Sequence, residues 1–155
     1  MPAKKIFAAI LVFSILFLAG CQSGEIRIHE PGDGAVSDGK LIHIAIYGKG
    51  GAAILEDTAV YADYKKNITV ADISADVCRK LNVPIVISGI GPLGYVQGIN
   101  NLFEFDDGPE SGWLYSVNGK YQSAGCGSYA LAGGDRVEWH YTLDLGKDLG
   151  AYNLE

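Results

Sequence analysis

Clustered basic charge and long apolar runs are both missing from this sequence. The chain has 12 lysines and arginines against 18 acidic residues, a formal charge of −6, and no basic run longer than two residues. Nucleic acids, acidic wall polymers and anionic lipids are therefore poor partners, because their recognition depends on clustered Lys and Arg. The longest apolar stretch runs from Ile6 to Gly20, about 15 residues, whereas a membrane-spanning helix needs about 20. An uncleaved transmembrane anchor is therefore disfavoured.

Recognisable catalytic motifs are absent from the sequence as well. There is no nucleophile elbow, no metalloprotease helix and no spaced pair of carboxylates, so we expect a protein that is not an enzyme. Cysteine is scarce, and its three positions are Cys21, Cys78 and Cys126. The last two have no adjacent base. They are either joined by a disulfide or remain separate thiols, and the sequence leaves both alternatives open.

Metal-binding and nucleotide-binding patterns are weak. Asp106, Asp107 and Glu110 are candidate oxygen ligands for calcium. Pro109 interrupts them and their spacing differs from that of an EF-hand, which favours a solvated acidic turn. Gly89 to Gly94 matches the dinucleotide pattern G-x-G-x-x-G, but a strand rather than a helix is predicted after it. We interpret this segment as a glycine-rich connection and expect no required cofactor.

The N-terminus carries a lipoprotein signal. Lys4 and Lys5 precede the apolar stretch, and Leu18-Ala19-Gly20-Cys21 places small residues before a cysteine, as in a lipobox. We expect cleavage before Cys21 and a diacylglycerol on its sulfur, and two acyl chains suffice for stable anchoring. The signal predicts a protein held by its lipid on the extracytoplasmic face of a bacterial membrane. Loss of Lys4 and Lys5 takes the formal charge from −6 to −8.

Four segments follow from these patterns. Residues 1–20 are the predicted signal peptide, and residues 21–40 are a lipidated N-terminus and linker rich in Gly, Ser, Asp and Glu. Residues 41–150 form the predicted folded domain, and residues 151–155 form a tail. The mature chain would have the 155 residues less the 20 of the signal peptide, and this length suits one domain with an ordinary core.

Strand patterns surround a single helical pattern. Leu41–Tyr47 and Ala53–Tyr61 are β-rich and separated by a glycine-rich turn, which predicts a hairpin. From Thr69, a capping residue with Asp72 three positions later, apolar residues recur at helical spacing until Pro84. Further strand-like runs lie at 85–88, 95–99, 102–105, 113–117 and 136–142, and 26–29 could add a short edge strand. One helix among many strands predicts an α+β fold, a β-grasp-like mixed sheet with the helix packed across one face.

The most regular alternation lies between residues 111 and 142. In a strand, Trp113, Tyr115 and Val117 share one face, and Asn118-Gly119 is a strong hairpin turn. Val137, Trp139 and Tyr141 share one face of the last strand in the same way, so pairing of the two strands brings the tryptophans to facing or adjacent positions. These rings either form core beneath the helix or are presented outward for binding, and their burial distinguishes the two alternatives.

These segments resemble the transcobalamin-like C-terminal domain family, the cobalamin-contacting β-domain of vitamin B12 carriers, which also occurs in bacterial exported lipoproteins. The resemblance covers about Leu41 to Gly150 and is densest at Tyr95–Asn100, Ser111–Gly119 and Gly133–Gly150. It implies a β-grasp domain with a ligand-binding face. The carriers clamp cobalamin between this domain and a large helical domain, for which this sequence has no counterpart. We therefore expect one face alone to bind weakly.

The function and the site residues are expectations from this resemblance. We expect a membrane-anchored module that binds cobalamin or another corrinoid as an accessory to uptake, with a transporter or surface protein as partner. Trp113 stands where the carriers have an aromatic near the ring-binding face, and the neighbouring strands and turns complete the predicted site with Tyr115, Asn118, Gln97 and Tyr121. The alternative is an interaction domain for a surface protein or polysaccharide without a small-molecule ligand.

Overall fold

A computed structural model describes residues 27–29, 39–63 and 67–151. The predicted signal peptide, Cys21 and most of the predicted linker lie outside these residues. None of the helices in the described part is long and apolar enough to cross a membrane. The elements in chain order are β1 (Arg27–Ile28), β2 (Gly39–Tyr47), β3 (Ala53–Asp63), α1 (Val70–Lys80), β4 (Ile85–Ser88), β5 (Tyr95–Ile99), β6 (Leu102–Phe103), β7 (Gly112–Val117), β8 (Lys120–Tyr121) and β9 (Arg136–Thr142).

A six-stranded mixed sheet forms the body of the fold, in the order β1-β3-β2-β9-β7-β8. The predicted hairpin is confirmed, since β2 and β3 pair antiparallel across the glycine-rich turn. The first strand pairs with the outer edge of β3 through Arg27 and Ile28, as the alternation in this segment predicted. At the centre, β2 and β9 run parallel, with Ile44 opposite Val137 and Ile46 opposite Trp139. This one parallel pairing makes the large sheet mixed rather than purely antiparallel.

The helix lies across one face of the large sheet. It begins at a capping box, in which the Thr69 hydroxyl accepts from the Asp72 amide and the Asp72 carboxylate accepts from the Thr69 amide. One hydroxyl then joins helix to sheet, because Ser74 accepts from Trp139 Nε1 at 2.8 Å and donates to the Val70 carbonyl at 2.7 Å. The core between them is built from alternate strand residues and one helix face, with Ile42, Ile44, Ile46, Val60, Val117, Val137, Val70, Ile73 and Val77 at its centre.

A second, three-stranded sheet follows the helix in the order β4-β5-β6. Val86 pairs with Gly98 and Ile87 with Val96, so Gln97 is an extra residue in β5, a β-bulge. The bulge keeps Val96 and Ile99 both buried although three positions separate them. The other residues of β5, which are Tyr95, Gln97 and Gly98, therefore face away from the core.

The α+β class and the single helix across a sheet face are confirmed, while the division of the strands into two sheets was not predicted. Local alternation identifies strands but does not state which strands pair, because pairing depends on contacts distant in sequence. The sheet also starts earlier than the predicted domain, since β1 and the first two residues of β2 precede residue 41.

The two cysteines of the described chain are buried free thiols. The Cys126 thiol donates to the Gly94 carbonyl at 3.2 Å, whereas Cys78 lies on the buried side of α1. Burial raises the pKa of Cys78 to about 11 and also raises the pKa of Cys126. Of the two alternatives that the sequence left open, the structure shows separate and unreactive thiols.

Candidate functional site

Trp113 and Tyr115 lie in the core rather than on the surface. They are 9% and 5% exposed. Trp113 Nε1 donates to the Leu102 carbonyl at 2.9 Å, and the Tyr115 hydroxyl donates to the Ala124 carbonyl at 2.8 Å. Burial raises the pKa of Tyr115 to about 12. The expectation that these rings face outward as a docking surface is therefore wrong, because their side of β7 is the side that the helix and its flanking loops cover.

The pairing of β7 with β9 explains this burial. Trp113 lies opposite Tyr141 and Tyr115 lies opposite Trp139, so the tryptophans occupy adjacent positions on one face, as the alternation predicted. The rings contact one another edge-on or tilted, with centroids 5.3 Å apart in both the Trp113–Tyr141 and the Tyr115–Trp139 pair. Such contacts contribute about 0.5–1.5 kcal/mol each beyond their burial. These aromatics therefore stabilise the fold.

Asn118 and Tyr121 lie at two other places. Asn118 occupies the predicted hairpin turn with φ +53°, and its side chain donates to Asp135 at 2.9 Å and accepts from the Arg136 amide at 3.0 Å. It therefore ties the turn to the start of β9. Tyr121 lies on the face of the large sheet that the helix leaves open, edge-on to His140 at 5.7 Å. Its pKa is raised by burial, with smaller contributions from nearby carboxylates.

Gln97 is the predicted site residue that reaches an exposed apolar surface. At the bulge of β5, its amide donates to the Tyr95 hydroxyl at 3.1 Å and to the Glu104 carboxylate at 3.2 Å. Tyr95 pairs with Ser88 on the side of the small sheet that faces away from the core. The five predicted residues therefore do not form one site, and Gln97 marks a surface that the other four do not share.

This surface, which we call the outer face, is the solvent side of the small sheet and consists of Val86, Tyr95, Gln97, Gly98 and Phe103. Val86, Gly98 and Phe103 form one row across β4, β5 and β6. A Cβ on Gly98 would lie 2.5 Å from the Phe103 ring, so the ring rests on bare backbone. Tyr95 is 45% and Phe103 39% exposed. The outer face therefore presents two aromatic rings beside a hydrogen-bonding amide, a composition typical of small-molecule binding surfaces.

The exposed apolar side chains of the described residues are concentrated in this region. Among the described residues, six of the eight large hydrophobics that are exposed lie between positions 86 and 105, namely Val86, Ile90, Leu93, Tyr95, Phe103 and Phe105. In the sequence these residues fall in strand-like runs or in the glycine-rich connection, and no binding role was predicted for them. The signal that could have found them is the complete lack of charged side chains from Leu81 to Phe103, which is unusual for a segment with a solvent-facing side.

The acidic candidates for calcium are engaged in local structure. Asp106 accepts from the Phe103 amide at 2.8 Å, and Asp107 forms an ion pair with Lys49. The backbone carbonyl of Glu110 accepts from the Leu145 amide. No group of three or more potential metal ligands occurs in the part of the chain that the structure describes. These local contacts are consistent with the acidic turn that the sequence pattern favoured.

The family of the chain is decided by the segment that contains the helix, the small sheet and the aromatic strands. Residues 63–142, just over half of the chain, match the family described as "Domain of unknown function (DUF4430)". The chain belongs to this family. The match begins at the last residue of β3 and ends at the last residue of β9, so it includes the whole outer face. No curated protein matches the chain.

Several solved structures are similar to this DUF4430 protein, haptocorrin among them. Haptocorrin in complex with Cbi is 13% identical with a TM-score of 0.54, over 73% of this chain and 27% of the haptocorrin chain. The chain thus spans about a quarter of the length of haptocorrin. A "putative metal binding protein" from Ruminococcus gnavus is 13% identical with a TM-score of 0.45, over 66% of this chain and 96% of that one. The haptocorrin similarity shows a fold shared with part of the haptocorrin chain.

Proposed function

We propose that this DUF4430 chain is a ligand-binding module, held on the extracytoplasmic face of the membrane by a lipid on Cys21, and that its outer face binds cobalamin or another corrinoid. The observation that carries the proposal is the pair of exposed rings of Tyr95 and Phe103 beside the Gln97 amide. A corrinoid is flat, apolar over much of its surface and rimmed by amides, and the outer face offers it two part-exposed rings, the Val86 side chain and one amide. The fold shared with part of haptocorrin supports the same ligand class.

The size of the outer face limits the affinity. A flat ligand on two half-exposed rings and a valine buries about 300 Å² of apolar surface, or roughly 7 kcal/mol at about 25 cal/mol per Å². Association costs at least about 4 kcal/mol in lost translational and rotational freedom. The remaining ~3 kcal/mol corresponds to a dissociation constant of several millimolar. Tight capture therefore needs a second surface, which a transporter or another partner protein would supply.

Binding is favoured over catalysis by the chemistry of this surface. The acids that contact this surface are Glu104, whose carboxylate accepts from the Gln97 amide, and Asp106, whose carboxylate accepts from the Phe103 amide, so both are engaged in local structure. The buried cysteines have raised rather than lowered pKa values, which is opposite to the requirement for a nucleophilic thiolate. The outer face is suited to holding a ligand in place.

Equilibrium dialysis of the purified full chain in detergent against cyanocobalamin or cobinamide tests the proposal. We expect saturable binding of a corrinoid in the millimolar range, and Tyr95→Ala should weaken it about tenfold. Leu145→Ala, which truncates an exposed leucine in the segment after β9, is the matched control and should bind as the wild type does. Circular dichroism checks that each variant is folded.

Two outcomes would overturn the proposed ligand. No binding of either corrinoid at 10 mM, about the upper limit of the expected range, rejects corrinoid binding on this face. That result would favour the alternative, an interaction domain for a surface protein or polysaccharide. Binding that Tyr95→Ala and Leu145→Ala weaken equally would show that the ligand is held elsewhere.

A further inference from the structure

The two most exposed large hydrophobic side chains of the described residues lie together on the connection between β4 and β5. Ile90 is 88% and Leu93 80% exposed. We call the segment Gly89–Gly94 the apolar loop. It is the glycine-rich connection that the sequence predicted, and it adjoins the outer face at Tyr95 without being part of it. Nearly complete exposure of two aliphatic side chains in sequence proximity marks an interaction surface.

The apolar loop is a fixed structure rather than a frayed one. A short 3₁₀ turn closes it, with the Gly94 amide donating to the Gly91 carbonyl at 3.0 Å. The Cys126 thiol donates to the Gly94 carbonyl from a second loop. The two backbones approach so closely that a Cβ on Gly125 would lie 2.6 Å from the Pro92 carbonyl oxygen. Ile90 and Leu93 are therefore held outward by a rigid support, which lowers the entropic cost of binding through them.

The apolar loop and the loop that supports it are also uncharged in sequence. No Asp, Glu, Lys, Arg or His occurs from Leu81 to Phe103, nor from Tyr121 to Gly134, the two segments that meet at the Gly94–Cys126 contact. A surface for another soluble protein normally has a polar, partly charged rim. A surface of aliphatic, glycine, serine and tyrosine residues without charge suits the interfacial zone of a lipid bilayer, where tyrosine and apolar side chains are favoured.

The large sheet places the N-terminal lipid attachment at the same end. Arg27 pairs with Tyr61, so β1 starts where β3 ends. β2 starts at this end too, since Gly39 pairs with Asp63, and the 121–134 segment is fixed here by the hydrogen bond from the Gly134 amide to the Leu41 carbonyl. The start of β1 and the loop that supports the apolar loop therefore share one end of the sheet.

The length of chain between Cys21 and Arg27 limits how far the domain can be from the membrane. Six residue steps span at most about 22 Å when fully extended. A domain of this size is about 30 Å across. An end of the domain that carries both Arg27 and the apolar loop is thus kept within contact distance of the bilayer to which the lipid is attached.

We infer that the apolar loop inserts Ile90 and Leu93 into the interfacial region of the lipid bilayer, as a second membrane contact beside the lipid on Cys21. The inference rests on the lipid anchor of the proposed function but not on the corrinoid. Zwitterionic lipid suffices, because the loop has no basic residue with which to attract anionic headgroups. The contact fixes the orientation of the domain, so that the opposite end of the large sheet points away from the membrane.

A pair of labelled variants tests this orientation. Leu93→Cys and Leu145→Cys each place a thiol at an exposed leucine, the first on the apolar loop and the second after β9, at the opposite end of the sheet. Cys78 and Cys126 are buried and should not react in the folded protein. The lipidated proteins, labelled with the fluorophore NBD, are inserted from detergent into the outer leaflet of preformed phosphatidylcholine vesicles. The readouts are NBD emission and its reduction by external dithionite.

We expect blue-shifted emission at position 93 and reduction at least about tenfold slower than at position 145, as for a probe buried in the interfacial region. Equal rates at the two positions would overturn the inference. Protection at position 93 that grows with the protein-to-lipid ratio would also overturn it, because it would show contact with another copy or protein. If adding phosphatidylglycerol to the vesicles slowed the reduction at position 93 more than tenfold further, the result would contradict an uncharged contact.

Failure of the membrane contact can be distinguished from failure of the lipid anchor and from failure of corrinoid binding. The intact mass of the purified chain reports directly whether Cys21 carries a lipid, and a mass without it rejects the anchor before any vesicle is used. Corrinoid dialysis is carried out in detergent and does not depend on the apolar loop. A chain that binds corrinoid but leaves position 93 exposed would keep the ligand and lose the membrane contact.

Discussion

At the scale of single residues, Gly98 decides the shape of the outer face. Its missing side chain allows the Phe103 ring to lie on the strand, and a Cβ there would approach the ring to 2.5 Å. Val86 of β4 also pairs with Gly98, so Gly98 lies between Val86 and Phe103 in this row. The position of the Phe103 ring on the outer face thus depends on the absence of a side chain at Gly98.

Gly98→Ala should therefore weaken both the fold and the binding. Displacing the Phe103 ring costs about 1–3 kcal/mol, as in other overpacked sites, and we expect corrinoid affinity to fall because the ring leaves its position. Urea unfolding and equilibrium dialysis measure the two effects. Gly112→Ala is the control, since a Cβ there meets its nearest neighbour at an ordinary 3.7 Å. Equal effects of the two substitutions would contradict the role of Gly98.

His140 should make the fold sensitive to acid. It stacks on Tyr47 at 5.2 Å and meets Tyr121 edge-on at 5.7 Å, and burial lowers its pKa below the ordinary 6.5 although Glu138 opposes this shift. Because the unfolded chain protonates His140 first, its contribution to stability is complete above pH 6.5 and is lost as the pH falls below that value. His140→Gln should reduce the stability difference between pH 7.5 and pH 5, measured by urea unfolding. An unchanged difference would contradict this assignment.

The limits of sequence inference are clearest for the aromatic residues. Alternation correctly placed Trp113, Tyr115 and Val117 on one face of β7, but the period of a strand does not tell which of its two faces is covered. Tyr95 and Phe103 received no role, because their strands are too short for a periodic pattern to separate inside from outside. Of the predicted site residues, only Gln97 lies on the outer face, and the site itself could be found only from burial.

At the scale of elements, α1 is the segment that the sequence described most completely. The cap at Thr69, the apolar spacing and the termination before Pro84 are all local signals, and the structure confirms each of them. The sheets were described only in part. The β2–β3 hairpin follows from the glycine-rich turn between its strands, but the parallel partner of β2 lies about 90 residues away, and a local pattern has no information about such a distance.

The capping box gives a direct test at this scale. Thr69→Ala removes the hydroxyl that accepts from the Asp72 amide and should lower the free energy of unfolding by about 1 kcal/mol. Thr69→Ser keeps the hydroxyl and is the matched control, which should retain most of the stability. Urea unfolding at neutral pH distinguishes them. Loss of the same size in both variants would assign the effect to the missing methyl group rather than to the cap.

At the scale of the whole molecule, the core should make the protein unstable in alkali. Burial raises the pKa of Cys78 from 9.0 to about 11 and that of Tyr115 from 10.0 to about 12. Both groups are neutral in the folded chain and ionise first in the unfolded chain. Their contributions to stability are therefore complete below pH 9 and are lost progressively as the pH rises to about 12.

Tyr115→Phe separates the tyrosine from the thiol. It removes the hydrogen bond to Ala124, so the variant should be less stable than the wild type at pH 8. Between pH 10 and pH 12, however, its stability should fall less than that of the wild type, because one ionising group is gone. Urea unfolding at pH 8 and pH 11 checks this. Parallel curves for the two proteins across this range would show that Tyr115 does not ionise on unfolding.

The parallel pairing of β2 with β9 has a consequence for how the chain is made. The two strands lie side by side at the centre of the large sheet, yet one is among the first residues of the domain to leave the ribosome and the other among the last. A nascent chain that stops short of Arg136 cannot assemble this centre, and pairing across such a separation is slow. The centre of the large sheet can therefore close only late, after nearly all of the described chain has been synthesised.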